Sequence, residues 1–246
     1  MSDATSALSP AALWRQLGLA RHNWPGRFTL LLAAILLLLV TQPMFASHAF
    51  AQNIATVTIL LVLLAALYAV RALRIFFIIA LVLIVPAIGC RIALQFSANL
   101  TLEMLGAVSS CLFLSVTVVA LVSRLFIVTS VTLDTISAAI CAYLLMGVGF
   151  AYAFAALELR HPGSFGAALF HGTSPGVEPL LASFHSLIYF SFVCLTTTGF
   201  GDIAPVGGGA RSLSVMESVL GQFYMAILIA RLVSLQVAQA MMKERE

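Results

Sequence analysis

Six long apolar runs, separated by short polar segments, limit what this chain can fold into. They cover residues 28–46, 54–70, 75–90, 104–123, 135–157 and 213–238. A helix that crosses a bilayer needs about 20 predominantly apolar residues. Charged residues make up only 9% of the chain, against about 25% in a soluble domain, so the chain cannot cover itself with a solvated surface. The sequence therefore predicts an all-α membrane protein with six transmembrane helices.

Basic residues flank these runs unevenly and predict the orientation of the chain. With the N-terminus in the cytoplasm, nine basic residues lie on the cytoplasmic side and three on the outer side, as the positive-inside rule requires. The cytoplasmic set is Arg15, Arg21, Arg27, Arg71, Arg74, Arg124, Arg231, Lys243 and Arg245, and the outer set is Arg91, Arg160 and Arg211. We therefore expect a multi-pass protein of the cell membrane with both termini in the cytoplasm. A signal peptide that is cleaved at Ala49-Phe50-Ala51 is the alternative for the first run, and we favour a retained helix.

A shorter apolar piece, residues 182–196, lies between the fifth and sixth runs. It is too short to cross a bilayer comfortably, which indicates a re-entrant helix. The polar segment CLTTTGFGDIAPV, from Cys194 to Val206, follows at its end. Irregular backbone is tolerated at membrane depth only where it is buried in protein or lines a water-filled cavity. This segment is therefore the first candidate for a functional site.

An ion at membrane depth needs protein oxygens, because the loss of its hydration shell costs tens of kcal/mol. A short extended segment supplies them if all its carbonyl oxygens face one way, which requires backbone angles at alternate residues that glycine adopts readily. Gly199 and Gly201 alternate with Thr198 and Phe200. A lone Gly-x-Gly is usually an ordinary loop, but Thr-Thr-Thr-Gly-Phe-Gly-Asp between a short re-entrant helix and a long span is far more specific.

The segment resembles the selectivity filter of the potassium channel superfamily, and the chain resembles a bacterial six-transmembrane ion channel of that superfamily. The resemblance implies that the filter residues are Thr197, Thr198, Gly199, Phe200 and Gly201. It implies that the carbonyls of Thr197 to Phe200 and the Thr197 hydroxyl bind K⁺ as the transported ion, and that four copies of the chain close each ring of oxygens.

The resemblance extends to the residues around the filter. Thr196 and Asp202 flank it, and Tyr189 and Phe190 lie on the aromatic pore helix, so these four residues are expected to support the filter. Gly221 is expected to be a gating hinge in the sixth helix. The chain departs from the family pattern at three positions: Thr198 replaces valine, Phe200 replaces tyrosine, and Val193 replaces a glutamate that pairs with the aspartate in some members. These departures bear on filter rigidity and selectivity.

The basic residues in and beside the apolar runs bear on how a channel of this kind would open. The fourth run carries no basic residue, and Arg124 stands alone at its end, whereas a voltage sensor needs several basic residues on one helix face. We therefore expect no charged voltage sensor. Arg231 is a charge inside the sixth run, where it faces the inner pore mouth or reaches the lipid headgroups.

These observations predict a cytoplasmic tail (1–27), a four-helix front domain in the position of a voltage sensor but uncharged (28–131), a pore domain (132–240) and a short cytoplasmic tail (241–246). The pore domain holds the fifth helix, a pore helix (183–196), the filter (197–201) and the sixth helix. We expect a homotetrameric, potassium-selective channel of the bacterial inner membrane that contacts lipids and needs neither an organic cofactor nor nucleic acid. A weakly selective cation channel and a non-conducting scaffold or sensor are the alternatives. An enzyme is disfavoured, since the sequence has no nucleophile–base or metal-ligand pattern.

Overall fold

The computed structural model describes residues 27–44, 51–94, 96, 99–128, 132–166 and 180–243. Within these ranges all regular secondary structure is helical. The helices are α1 (Arg27–Met44), α2 (Ala51–Val70), α3 (Arg74–Ala93), α4 (Leu100–Ile127), α5 (Leu133–Arg160), α6 (Leu180–Leu195) and α7 (Gly208–Lys243). Most of the predicted tail 1–27 and most of the candidate cleavage site at 49–51 lie outside the described residues.

Within the described residues, four helices are long and apolar enough to cross a membrane: α3, α4, α5 and α7 over Gly208–Val237. They correspond to the third, fourth, fifth and sixth predicted runs, which confirms the membrane character of the chain. The described apolar parts of α1, α2 and α6 are shorter, at Phe28–Thr41, Ile54–Val70 and Phe184–Leu195. A six-span topology with a re-entrant α6 therefore stays a prediction.

Polar caps explain why α4 and α5 begin earlier than the apolar runs do. The Asn99 side chain accepts a hydrogen bond from the Thr101 backbone nitrogen at 2.9 Å, and this bond caps α4. The Thr132 hydroxyl accepts one from the Thr135 nitrogen at 3.2 Å and caps α5 in the same way. Toward the other end of the chain, α7 begins at Gly208 and includes Gly209, five residues before the sixth apolar run.

The front helices α1–α4 pack on one another, and α1 and α4 also pack against α5, which is the central helix of the described fold. Small residues on α5, including Ala138, Ala142 and Gly147, are buried and let neighbouring helices approach closely. A bulky cluster fills the remaining space, with Phe28, Phe113, Phe154 and Leu145 almost completely buried. This packing gives α6 a rigid support.

Helix α6 lies between α5 and α7, and an aromatic cluster fixes its position. The centroid of the Phe190 ring of α6 lies 5.1 Å from that of Phe154 of α5 and 5.2 Å from that of Phe165, and both pairs are edge-to-face. Such pairs add stability beyond the area that they bury. Helix α7, by contrast, is mostly exposed in the single chain, since only 6% of its most apolar stretch is buried.

Candidate functional site

The backbone of residues 197–201, called here the candidate filter, alternates in handedness. Thr197, Gly199 and Gly201 have φ angles of 57°, 64° and 79°, in the left-handed region. Glycine adopts this region readily, but threonine adopts it rarely and at a cost. A Cβ atom built on Gly199 or Gly201 would meet nothing within 4 Å. These two glycines are therefore required by their backbone angles and not by crowding within the chain.

Hydrogen bonds to the last carbonyls of α6 fix the start of the candidate filter. The backbone nitrogens of Thr196, Thr197 and Thr198 donate to the carbonyls of residues 192, 194 and 193 at 2.9–3.0 Å. Side chains from neighbouring helices add to them, because the Ser218 hydroxyl donates to Cys194 at 2.8 Å and the Tyr143 hydroxyl to Leu195 at 3.3 Å. Carbonyl groups that a helix end leaves without partners are thus satisfied, and the chain leaves α6 in one direction.

Hydrogen bonds of their hydroxyl groups connect Thr196 and Thr198 to each other and to the end of α6. The Thr196 hydroxyl donates to the Phe192 carbonyl at 2.7 Å, and it lies 2.8 Å from the Thr198 hydroxyl. A hydroxyl has a single hydrogen, so Thr198 must donate in the second contact. The Thr198 side chain is therefore tied to the end of α6, which a valine at this position could not achieve.

The Thr197 hydroxyl has two partners of its own. It donates to the Thr196 carbonyl at 2.7 Å and lies 3.4 Å from the Gln222 amide nitrogen of α7. The second contact is long for a hydrogen bond, but it brings α7 next to the first residue of the candidate filter.

Tyr189 supports the far end of the candidate filter. Its ring is stacked on Phe200, with 6.3 Å between the centroids and 2° between the planes. Its hydroxyl interacts with the Asp202 carboxylate. Beyond Asp202, the Val206 nitrogen donates to the Ser164 carbonyl at 2.8 Å. Tyr189 therefore packs on Phe200 and acts electrostatically on Asp202 from α6.

Gly221 marks the closest approach of α7 to α6. A Cβ atom there would lie 2.6 Å from the Leu195 carbonyl oxygen and 2.9 Å from a Leu195 methyl group. Glycine is thus required by contact with the residue at the end of α6. The expected role of Gly221 as a gating hinge is a separate property and stays a prediction.

Glu217 is a functional candidate that the sequence reasoning missed. Its side chain is fully buried in α7, and Oε1 lies 2.5 Å from the Ser191 hydroxyl of α6. The same hydroxyl lies 2.6 Å from the Gly147 carbonyl of α5. Ser191 has one hydrogen and a carbonyl only accepts. Both contacts can be hydrogen bonds only if the Ser191 hydroxyl donates to the Gly147 carbonyl and the Glu217 carboxyl group donates to the Ser191 hydroxyl.

Glu217 joins α7 to α6 and α5 through Ser191, and the two short contacts fit the geometry of a carboxylic acid. An ionised carboxylate would stand here with Oε2 buried and without a partner, which is costly in a low-dielectric site. The signal available in the sequence was an acidic residue inside an apolar run, which marks a functional site by default.

Arg231 lies near the opposite end of α7 from the candidate filter. One guanidinium nitrogen donates to the Phe126 carbonyl at 2.8 Å and to the Val128 carbonyl at 3.3 Å. Those carbonyls belong to the C-terminal end of α4, where a positive charge is favourable. Arg231 therefore joins α7 to the front helices, and its expected place at the inner pore mouth stays a prediction.

The structure brings most of the predicted site residues together. The five candidate filter residues, with Thr196, Asp202, Tyr189 and Gly221, are within one continuous region at the C-terminal end of α6. Phe190 faces the aromatic cluster at the back of α6, and Arg231 is separate from the region. Residues 196–202 are exposed in the single chain, so no described residue of one copy covers the candidate filter.

Residues 163–237 match a protein-family model described as an ion channel. The match begins at the turn after α5 and covers the described part of α6, the candidate filter and most of α7. None of the curated proteins matches the chain. The match supports an ion-channel function for this membrane protein.

Proposed function

We propose that the chain is a potassium-selective channel of the bacterial inner membrane, built as a homotetramer around residues 197–201. Transport is passive and follows the electrochemical gradient. The observation that carries the proposal is the alternation of left-handed backbone angles at Thr197, Gly199 and Gly201 in a segment that one chain leaves exposed. Four such segments around an axis supply rings of carbonyl oxygens that replace the hydration shell of K⁺.

The exposed surface of α7 supports the tetramer. Apolar side chains such as Val219, Phe223 and Ile227 are 46%, 61% and 51% exposed. In the proposed assembly, part of this surface faces neighbouring copies and the central cavity, and the rest faces lipid. The partial negative charge at the C-terminal end of α6 favours a cation in that cavity.

Potassium flux into liposomes tests the proposal with a matched pair of glycine variants. Gly199→Ala adds a Cβ in open space at a φ of 64°, and Gly163→Ala does the same at a φ of 88° outside the candidate filter. We expect Gly199→Ala to abolish the flux and Gly163→Ala to retain it, because only Gly199 sets carbonyl directions in the pore. Absence of flux in the wild-type tetramer would favour a non-conducting scaffold or sensor instead.

A weakly selective cation channel is the second candidate, since Thr198 and Phe200 replace the family's valine and tyrosine. The contacts of both residues favour a selective filter. The Thr198 hydroxyl lies 2.8 Å from the Thr196 hydroxyl, and Tyr189 supports Phe200. Reversal potentials in mixed potassium and sodium decide between the two. We expect a clear preference for potassium, and a reversal potential near zero would refute it.

A further inference from the structure

A buried arginine lies in a pocket between the front helices and α6, and the described residues satisfy only part of its hydrogen-bonding capacity. Arg91, near the C-terminal end of α3, is 6% exposed, and none of the described residues forms a hydrogen bond with its Nε and Nη2 atoms. The pocket around it is lined by residues of α3, α4, α5 and α6. Removing a charged group from water without compensation is expensive. Arg91 therefore needs an anionic group that the described residues do not supply to these two atoms.

Two further groups in the pocket suit a ligand with several acceptor oxygens. No described residue makes a hydrogen bond of good geometry with the buried Tyr152 hydroxyl of α5, and Arg91 and Ser110 both lie close enough to act on it electrostatically. Ser110 of α4, which is 2% exposed, also lines the pocket. The guanidinium presents donors in a fork that matches the oxygens of a phosphate or carboxylate. The combination is typical of a phosphate-binding site.

The surroundings indicate that the phosphate belongs to a lipid. Leu94 and Leu159 line the pocket beside the polar groups, and the nearby Ile92 and Leu105 are 47% and 51% exposed on the outer faces of α3 and α4. An apolar rim around a basic pocket between membrane helices suits a lipid headgroup with its chains outside. Glu103 also lines the pocket, which disfavours a headgroup with net negative charge.

We propose that this pocket binds the phosphate of a phospholipid headgroup, with Arg91 as its main ligand and Tyr152 as a second donor. The pocket reaches the first turns of α6. The Arg91 guanidinium lies 5.8 Å from the Phe184 ring, and that ring lies 4.5 Å from the Tyr152 ring. A bound headgroup would thus be connected to the helix that precedes the candidate filter. Binding itself is measured without ion flux, so its failure and that of the proposed channel function are distinguishable.

Thermal unfolding of the purified, delipidated protein in detergent tests the site. The probe is phosphatidylethanolamine, whose headgroup is net neutral and so does not oppose Glu103. Its comparators are diacylglycerol with the same chains and inorganic phosphate. At saturation we expect phosphatidylethanolamine to raise the unfolding midpoint of the wild type by about 5 °C, and the comparators to leave it unchanged. An equal shift with inorganic phosphate would overturn the lipid assignment and indicate a site for the free ion.

Variants at two ends of α3 separate the site from general lipid solvation. Arg91→Gln should lose the lipid-dependent shift, whereas Arg74→Gln, at the exposed opposite end of the same helix, should retain it. If Arg91→Gln does not fold, Tyr152→Phe and Arg91→Lys serve instead, with bound lipid counted by native mass spectrometry. Both should retain less lipid than the wild type. Lipid binding equal to the wild type in all the folded pocket variants would overturn the proposal.

Discussion

Replacement of Glu217 by glutamine tests whether this residue acts as a carboxylic acid. The amide of glutamine has nearly the same shape and can donate to Ser191 as the protonated acid does. We therefore expect Glu217→Gln to retain the contacts among α5, α6 and α7. Its unfolding midpoint should stay within about 2 °C of the wild type, because the change in free energy of unfolding is below about 0.5 kcal/mol.

Glu217→Ala should behave very differently. It removes one buried hydrogen bond, which contributes about 1 kcal/mol, and leaves a cavity at a side chain that is 0% exposed. Cavities of this kind cost about 2–3 kcal/mol more. For a chain of this size each kcal/mol lowers the midpoint by about 2–4 °C, so we expect a fall of about 6–16 °C. Potassium flux should fall with it, since α6 then loses one of its connections to α7.

The assay is thermal unfolding of the purified protein in one detergent, with infrared spectroscopy as the independent readout. A protonated carboxylic acid has a carbonyl stretch that an ionised carboxylate lacks, so the difference spectrum between wild type and Glu217→Gln should contain it. The reasoning would be refuted by a glutamine variant as unstable as the alanine variant, or by a difference spectrum that contains only carboxylate bands.

Two further predictions concern α7. Gly221→Ala places a methyl group 2.6 Å from the Leu195 carbonyl oxygen, whereas Gly208→Ala meets nothing within 4 Å; we expect the first to lower the free energy of unfolding by about 1–3 kcal/mol and the second to be neutral in the same thermal assay. A Gly221→Ala protein of normal stability with altered channel opening would instead support the hinge. Arg231→Gln removes the hydrogen bonds to the Phe126 and Val128 carbonyls and should cost about 1–3 kcal/mol. Its single-channel conductance decides whether Arg231 also acts at the pore mouth, because a ring of four cations there would slow cation entry.

The helices and the glycines of the site could be predicted because both follow from local chemistry. Apolar runs need a bilayer or a core wherever they occur, and the structure has helices at each of the six predicted runs. Gly199 and Gly201 adopt positive φ angles, as expected of glycines that alternate with larger residues. The left-handed angle at Thr197 could not be foreseen, since threonine rarely adopts it.

Contacts between helices distant in sequence account for what the sequence did not predict. Ser191 meets a carbonyl 44 residues earlier and a carboxyl group 26 residues later. Arg91 meets Tyr152 and Phe184 only because three helix ends and the start of α6 come together. Neither hydrophobic periodicity nor a local motif predicts such contacts between residues that are distant in sequence. A lone acid or base in an apolar run indicates that a partner exists, but the fold is needed to identify it.

The two unusual residues of the candidate filter are compensated by neighbours in the structure. Phe200 lacks the hydroxyl of the family's tyrosine, but the stacked Tyr189 supplies one to Asp202 from α6. Thr198 has a hydroxyl that valine lacks, and this group donates to Thr196 behind the segment. The contacts of both residues therefore connect the segment to α6, by ring stacking and electrostatic interaction at Tyr189 and by a hydrogen bond at Thr198. In the proposed channel, selectivity depends on Tyr189 and Thr196, because these residues hold the backbone whose carbonyls would bind the ion.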